Sequence, residues 1–247
     1  LPPNPVVITF DDGYRDNRTV ALPLLREAGV TADFFVCPGN VEQRRPFWWD
    51  RLAFCVRTSP RSSAALDYPR RMELDLGSAE AKEQSRRRLL RVVKRTPGLD
   101  VEKLLELLQE ATGVAPDEAE AAEELVMSWD DVRALREAGM GIGSHTWTHP
   151  VLTMVDGEEA TDQLTRSRAA LEERLGEPVR TLSYPVGSFS EQTRERALAA
   201  GYELAYSYGG GVSRLPGADL LSLRRLAVER HVTMPYLKTV LAAPLLN

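Results

Sequence analysis

The stretch "NPVVITFDDGYRDNRTVALPLLREAGVTADFFVCPG", residues 4–39, decides the fold. "NPVVITF" (4–10) is a continuous β-branched run bounded by Pro5 and the acidic "DDG", which predicts a short buried strand. "NRTVALPLLREAG" (17–29) spaces its apolar residues at a helical period and stops at Gly29. "TADFFVCPG" (31–39) predicts the next strand. A strand–helix–strand unit with short links is the building block of a parallel sheet.

The same rhythm returns later in the chain. "MSWDDVRALREAG" (127–139) predicts a helix opened by a Ser128–Asp131 capping box and closed at Gly139. "MGIGSH" (140–145) follows as a strand and "GEEATDQLTRSRAALEERLG" (157–176) as a long helix. "VRTLSYPVGSFS" (179–190) reads as a strand running into a loop, then "EQTRERALAAG" (191–201) as a helix. Strands at 202–208 and 220–228 and a final helix at 234–244 complete the pattern. Such alternation favours a barrel-like or doubly wound parallel sheet.

Residues 42–127 break the rhythm. "FWWDRLAFCVR", "SAEAKEQSRRRLLRVVKR" and "DVEKLLELLQEATG" are amphipathic at a helical period. "DYPRRMELDLG" (67–77) alternates as a hairpin or extended arm would. "APDEAEAAEEL" (115–125) has the composition of a solvated loop or exposed helix. The expectation is one domain over 1–247, with 42–127 as a mainly helical insertion.

Composition narrows the function. The chain has 247 residues and a formal charge of −5, so it lacks the basic footprint that nucleic acid requires. No apolar run approaches the roughly 20 residues of a membrane span. The chain opens on "LPPNPVVITF" with no signal peptide, so both cytoplasmic and extracytoplasmic locations stay open. The cysteines, Cys37 and Cys55, can pair or stay free, and Cys37 reads as a core residue. Oligomeric state leaves no mark in the sequence.

Polar residues gather just past strand ends, where parallel α/β folds place their sites. Asp11, Asp12 and Gly13 follow the first strand. His145 and His149, two of only three histidines, follow the strand at 140–145. "YPVG" (184–187) follows a third. Taken singly, "DDG" is a turn, the histidine pair is a coincidence of spacing, and Tyr184 and Trp147 are core or rim aromatics. Together they suggest a metal site. Adjacent carboxylates repel unless a cation relieves them, and one can ligate while the other serves as a base. A carboxylate with two neutral imidazoles is a catalytic rather than structural zinc pattern.

"TFDDGY" (9–14), "SHTWTH" (144–149) and "YPVGSF" (184–189) resemble the first three motifs of the polysaccharide deacetylases, carbohydrate esterase family 4 or the NodB homology group. The resemblance runs over residues 5–40 and 127–230. It implies an α/β fold, a distorted (β/α) barrel of NodB type with fewer than eight complete units, to which the helical insertion read above is added. It implies a hydrolase of carbon–nitrogen bonds other than peptide bonds, which removes N-acetyl groups from a carbohydrate with a divalent metal, usually Zn2+. An O-acetyl esterase, a cyclic imide hydrolase and a non-catalytic carbohydrate-binding relative are the alternatives.

By the same resemblance Asp11 is the catalytic base, and Asp12, His145 and His149 are the metal ligands. Tyr184, Pro185, Val186 and Gly187 form the groove wall, with the Val186 N–H aimed at the oxyanion, a contact worth about 3 kcal/mol. The chain departs from the pattern in three places. Where many members read Arg-Pro-Pro-Tyr-Gly, it reads Ser183-Tyr184-Pro185-Val186-Gly187, and Arg225 in "LRRLAV" is the candidate for the missing arginine. The fourth motif has no counterpart. The late histidine that serves as general acid has only His231 as a candidate, and a plain surface histidine is its alternative. "RRPFWWDRL" (44–52) reads either as a sugar-stacking rim or as a hydrophobic anchor for the insertion, with the anchor favoured.

Overall fold

The structure is a computed structural model, and it describes residues 5–214, 216–229 and 232–242. Six parallel strands form one curled sheet, a half-barrel in the order β1-β2-β5-β6-β7-β8. They are β1 (Thr9–Phe10), β2 (Asp33–Val36), β5 (Gly141–Ser144), β6 (Thr181–Ser183), β7 (Leu204–Ser207) and β8 (Leu223–Arg224). The expected distorted barrel is therefore the observed architecture. The alternation within β2 shows how the layers arise. Phe34 and Val36 pack toward the helices with Leu22, Leu135 and Leu164, while Phe35 between them joins Tyr206 and Leu223 on the other face. Each such fully buried side chain contributes about 1.5–3 kcal/mol.

The outer helices are α1 (Leu22–Ala28), α7 (Trp129–Glu137), α8 (Gly157–Leu175) and α9 (Glu191–Ala199), with α10 (Met234–Ala242) at the end. Their boundaries follow the sequence signals. Gly29 ends α1 in the left-handed region at φ 66°, and both hydrogen bonds of the Ser128–Asp131 capping box form at α7. The segment between β2 and β5 carries α2 (Pro38–Gln43), α3 (Trp48–Thr58), α4 (Ala79–Arg95), α5 (Val101–Thr112) and α6 (Glu118–Leu125). It also holds a hairpin of β3 (Ser63–Leu66) and β4 (Met72–Asp75). These elements close over a hydrophobic cluster of their own, centred on Leu52, Leu66, Leu74, Leu89 and Leu104. Arg51, almost fully buried, pairs with Glu102 of α5 and Glu118 of α6 and fastens the three helices.

Several expectations need correction. Of the run 4–10, the described residues 5–10 do not form a buried strand along their length. Only Thr9 and Phe10 pair, because β1 is an edge strand, and Val6 and Val7 are 73% and 57% exposed. The strand predicted over 31–39 stops at Val36, since Pro38 fits the first turn of α2. The strand predicted over 220–228 shortens to Leu223–Arg224. The hairpin begins earlier than 67–77, at Ser63. Cys37 and Cys55 are both buried and free. Among the described residues no helix is long and apolar enough to cross a membrane.

Candidate active site

Four strands deliver side chains to one point at their carboxyl ends. Asp11 and Asp12 leave β1 in a tight turn, with the Gly13 N–H donating to the Asp11 carbonyl at 3.0 Å and Asp12 at φ 76°. The Cys37 N–H, just past β2, donates to the Asp12 carbonyl at 3.2 Å. His145 extends β5, its N–H bonded to the Val36 carbonyl at 2.8 Å. His149 follows after a loop in which Thr146 and His149 both take left-handed backbone, φ 67° and 62°. That loop is held from several sides. The Thr146 N–H donates to Ser144 Oγ at 3.2 Å, the His149 N–H to Thr146 Oγ1 at 3.1 Å, and Gln163 of α8 bonds Thr148 through both its amide groups. The Gly39 N–H donates to the Trp147 carbonyl at 2.9 Å, and a Cβ at Gly39 would lie 2.5 Å from that oxygen, so only glycine fits. Trp147 is buried, with the Arg166 guanidinium 4.0 Å above its ring.

Asp12, His145 and His149 each offer one ligand atom, and these atoms lie within 4.8 Å of one another. Asp12 Oδ1 is 3.4 Å from His145 Nε2 and 3.5 Å from His149 Nε2. His145 Nδ1 sits 2.6 Å from the Ser183 carbonyl, which must accept, so the proton is on Nδ1 and the Nε2 lone pair points at the carboxylates. His149 Nδ1 is buried without a hydrogen-bond partner in the protein. Burial, followed by the neighbouring His145, holds the His149 pKa down at about 4, so this imidazole is neutral at pH 7. Burial also disfavours charge on His145, but Asp11 and Asp12 outweigh it and raise its pKa. Burial pushes the Cys37 thiol well up, so it stays protonated, donating to the His145 carbonyl at 3.2 Å. The donor set thus fits a catalytic divalent metal.

Asp11 sits beside this set, its Oδ2 3.7 Å from His145 Nε2. Arg225, just past β8, grips it with two nitrogens, Nη1 to Oδ1 and Nη2 to Oδ2, both at 2.7 Å. The same guanidinium reaches Thr9 Oγ1 at 3.1 Å and Ser183 Oγ at 2.8 Å. It therefore spans from the last strand of the sheet to the first. Burial works to raise the Asp11 pKa, but His145, Arg225 and the Ser183 hydroxyl together bring it below the ordinary carboxylate value.

Of the predicted groove wall, Tyr184 and Pro185 are buried, and the Tyr184 hydroxyl donates to the Leu221 carbonyl at 3.1 Å. Val186 and Gly187 are half-buried and both left-handed, with φ 50° and 65°. His231 lies outside the described residues.

Two groups escaped the sequence reading. Ser183, read there only as a lost arginine, donates its hydroxyl to Asp11 Oδ2 at 3.1 Å while its carbonyl sets the His145 tautomer. Trp49 of α3 presents its ring edgewise to His149, with centroids 4.6 Å apart. Trp48 beside it packs into the segment's own cluster. The pairing of an anchor with a site wall was concealed in two adjacent, identical residues.

A family model described as polysaccharide deacetylase matches residues 1–205. No curated protein matches the chain. Among solved structures, the chain is similar to the Streptococcus pyogenes deacetylase PplD in complex with acetate, with TM-score 0.59 and 20% identity over 98% of this chain and 72% of that one. IcaB from Ammonifex degensii gives TM-score 0.58 and 19% identity, covering 98% of this chain and 75% of that one. A polysaccharide deacetylase from Bacillus cereus gives TM-score 0.57 and 15% identity, covering 97% of this chain, which spans 52% of that one.

Proposed function

The chain belongs to the polysaccharide deacetylase family, hydrolases of carbon–nitrogen bonds other than peptide bonds, and we propose that it removes N-acetyl groups from an N-acetylated sugar of the N-acetylglucosamine type, releasing acetate. The reading includes one domain over 1–247 with 42–127 as a helical insertion, and a divalent metal, Zn2+, as cofactor. The single observation that carries it is the convergence of Asp12, His145 and His149 on one point with Asp11 beside them, clamped by Arg225.

Asp12, His145 and His149 would hold the metal. When bound, such an ion supplies Lewis acidity toward the acetyl carbonyl and toward a water nucleophile. Asp11 takes the proton as that water adds to the carbonyl carbon. Its lowered pKa keeps it ionised, and Arg225 with Ser183 holds the carboxylate in one orientation beside the ligand set. The Val186 N–H is the candidate donor to the oxyanion, on a left-handed turn whose next two amides, of Gly187 and Ser188, are taken by the Tyr184 and Pro185 carbonyls. The C–N bond then breaks, the amine takes a proton and acetate departs. His231 is the candidate for delivering that proton.

Acetate release tests the proposal. As-purified, chelated and zinc-restored protein are compared on N-acetylglucosamine oligomers and on matched O-acetylated sugars, with Asp11→Asn as control. Release from the N-acetyl series that is lost on chelation and regained with zinc is expected. Release from the O-acetyl series alone would reassign the bond, and sugar binding without turnover would leave a carbohydrate-binding relative.

A further inference from the structure

The acidic turn at Asp11–Tyr14 is held between the two ends of segment 42–127. On one side the exit of the segment pairs with it. The Arg15 N–H donates to the Leu125 carbonyl at 2.8 Å, the Met127 N–H donates to the Gly13 carbonyl at 3.0 Å, and Tyr14 bridges Val126. On the other side stands the start of α3. Trp49 Nε1 donates to the Tyr14 hydroxyl at 2.6 Å, and that hydroxyl donates onward to Asp50 Oδ2 at 2.8 Å. The Trp49 ring stacks on Phe47, whose own ring packs against Tyr14, and meets His149 edge-on. The Tyr14 phenol oxygen, two residues from the ligand Asp12, thus fixes the indole that walls a second ligand, His149.

We propose that Trp49, Tyr14 and Asp50 are positioning residues for the metal site, so that segment 42–127 builds part of the site. This rests on the metal-binding reading above. The physical reason is ordinary for ligating histidines. His149 sits on a left-handed backbone and its Nδ1 has no protein partner, so no hydrogen bond from that atom orients the ring. Trp49 supplies by contact what a hydrogen bond supplies elsewhere, and Trp49 is held in turn by Tyr14 and Asp50. "RRPFWWDRL" is then explained as a unit: Trp48 anchors, Trp49 orients, and Asp50 locks the tyrosine that follows the aspartates.

The test is zinc affinity, by competition with a chromophoric chelator, and the visible absorption of the Co2+-loaded protein. Variants are Tyr14→Phe, Trp49→Phe, Asp50→Ala and Asp50→Asn, with exposed Arg91→Ala as control. Tyr14→Phe and Asp50→Ala are expected to weaken zinc by about 10–100-fold and to alter the Co2+ spectrum, as losing an outer-sphere partner does. Asp50→Asn keeps an oxygen that accepts from Tyr14 and is expected to stay near wild type, as is Arg91→Ala. Folding is monitored by thermal melting. Tyr14→Phe removes a single oxygen, so a folded Tyr14→Phe protein with wild-type affinity and spectrum overturns the proposal. Wild-type protein that binds no zinc would instead sink the metal reading beneath it.

Discussion

Replacing Arg225 by Met tests the clamp on Asp11 without invoking catalysis. Arg225 loses four hydrogen bonds in this change, two of them to Asp11. The methionine keeps an unbranched apolar stem but loses the guanidinium carbon that lies 6.0 Å and 5.7 Å from the Phe35 and Tyr206 ring centroids. The pair is neither fully buried nor at the surface, with 13% and 28% of the two side chains exposed. Breaking a fully buried pair costs about 3–5 kcal/mol and an exposed one about 0–1 kcal/mol. The intermediate exposure places this one at about 2–3 kcal/mol. For a chain of this size that is a fall in Tm of roughly 4–12 °C. Urea denaturation of metal-free protein at pH 7 gives the free energy, and a double-mutant cycle with Asp11→Asn isolates the pair. Much of the cost is an orphaned carboxylate, so Asn at position 11 should recover about 1–2 kcal/mol of it. Arg225→Lys should fall between, because an ammonium cannot make the two-pronged contact. A loss under about 0.5 kcal/mol, or strict additivity in the cycle, would refute the clamp.

Three further outcomes follow from the same geometry. Asp11→Asn should lower kcat for acetate release by about 10²–10⁴-fold with zinc affinity near wild type, checked by steady-state kinetics and metal titration. Asp50 has its pKa raised to about 6 by burial, against the Tyr14 hydrogen bond and with Asp12 adding to the rise. The folded state therefore holds the extra proton between about pH 4 and 6, and stability declines as pH rises through that window. Asp50→Asn should gain about 1–3 kcal/mol on wild type from pH 4 to 7 in paired denaturation curves, and parallel curves would contradict the assignment. Gly187→Ala would place a Cβ 1.8 Å from that of Tyr208 on a φ of 65°, so it should cost about 2 kcal/mol or more and lower kcat/KM by displacing the Val186 turn.

The parallel sheet was legible because the chain's own periodicity announces it: β-branched runs ending in polar turns, amphipathic helices closed by Gly29 and capped at Ser128. The ligand set was legible because its residues lie in short local stretches, 11–12 and 145–149. What stayed hidden was set by distance along the chain. Arg225, which reaches Asp11 across 214 positions, was named only through the family resemblance, and the share that Ser183 takes in the same contact, 172 positions from Asp11, left no mark in the sequence. Edge exposure trimmed β1, because an apolar run carries no mark of whether a neighbouring strand covers it. Trp48 and Trp49 look identical in sequence, yet the helical turn sends one into a core and the other against His149.

The central claim is that one divalent ion is shared by Asp12, His145 and His149. Crystals grown with zinc, with diffraction measured on either side of the zinc absorption edge, test it most directly. The account predicts a single strong anomalous peak within bonding distance of an Asp12 oxygen, His145 Nε2 and a His149 ring nitrogen. A peak held by other side chains, or none at that point in zinc-loaded protein, would contradict it.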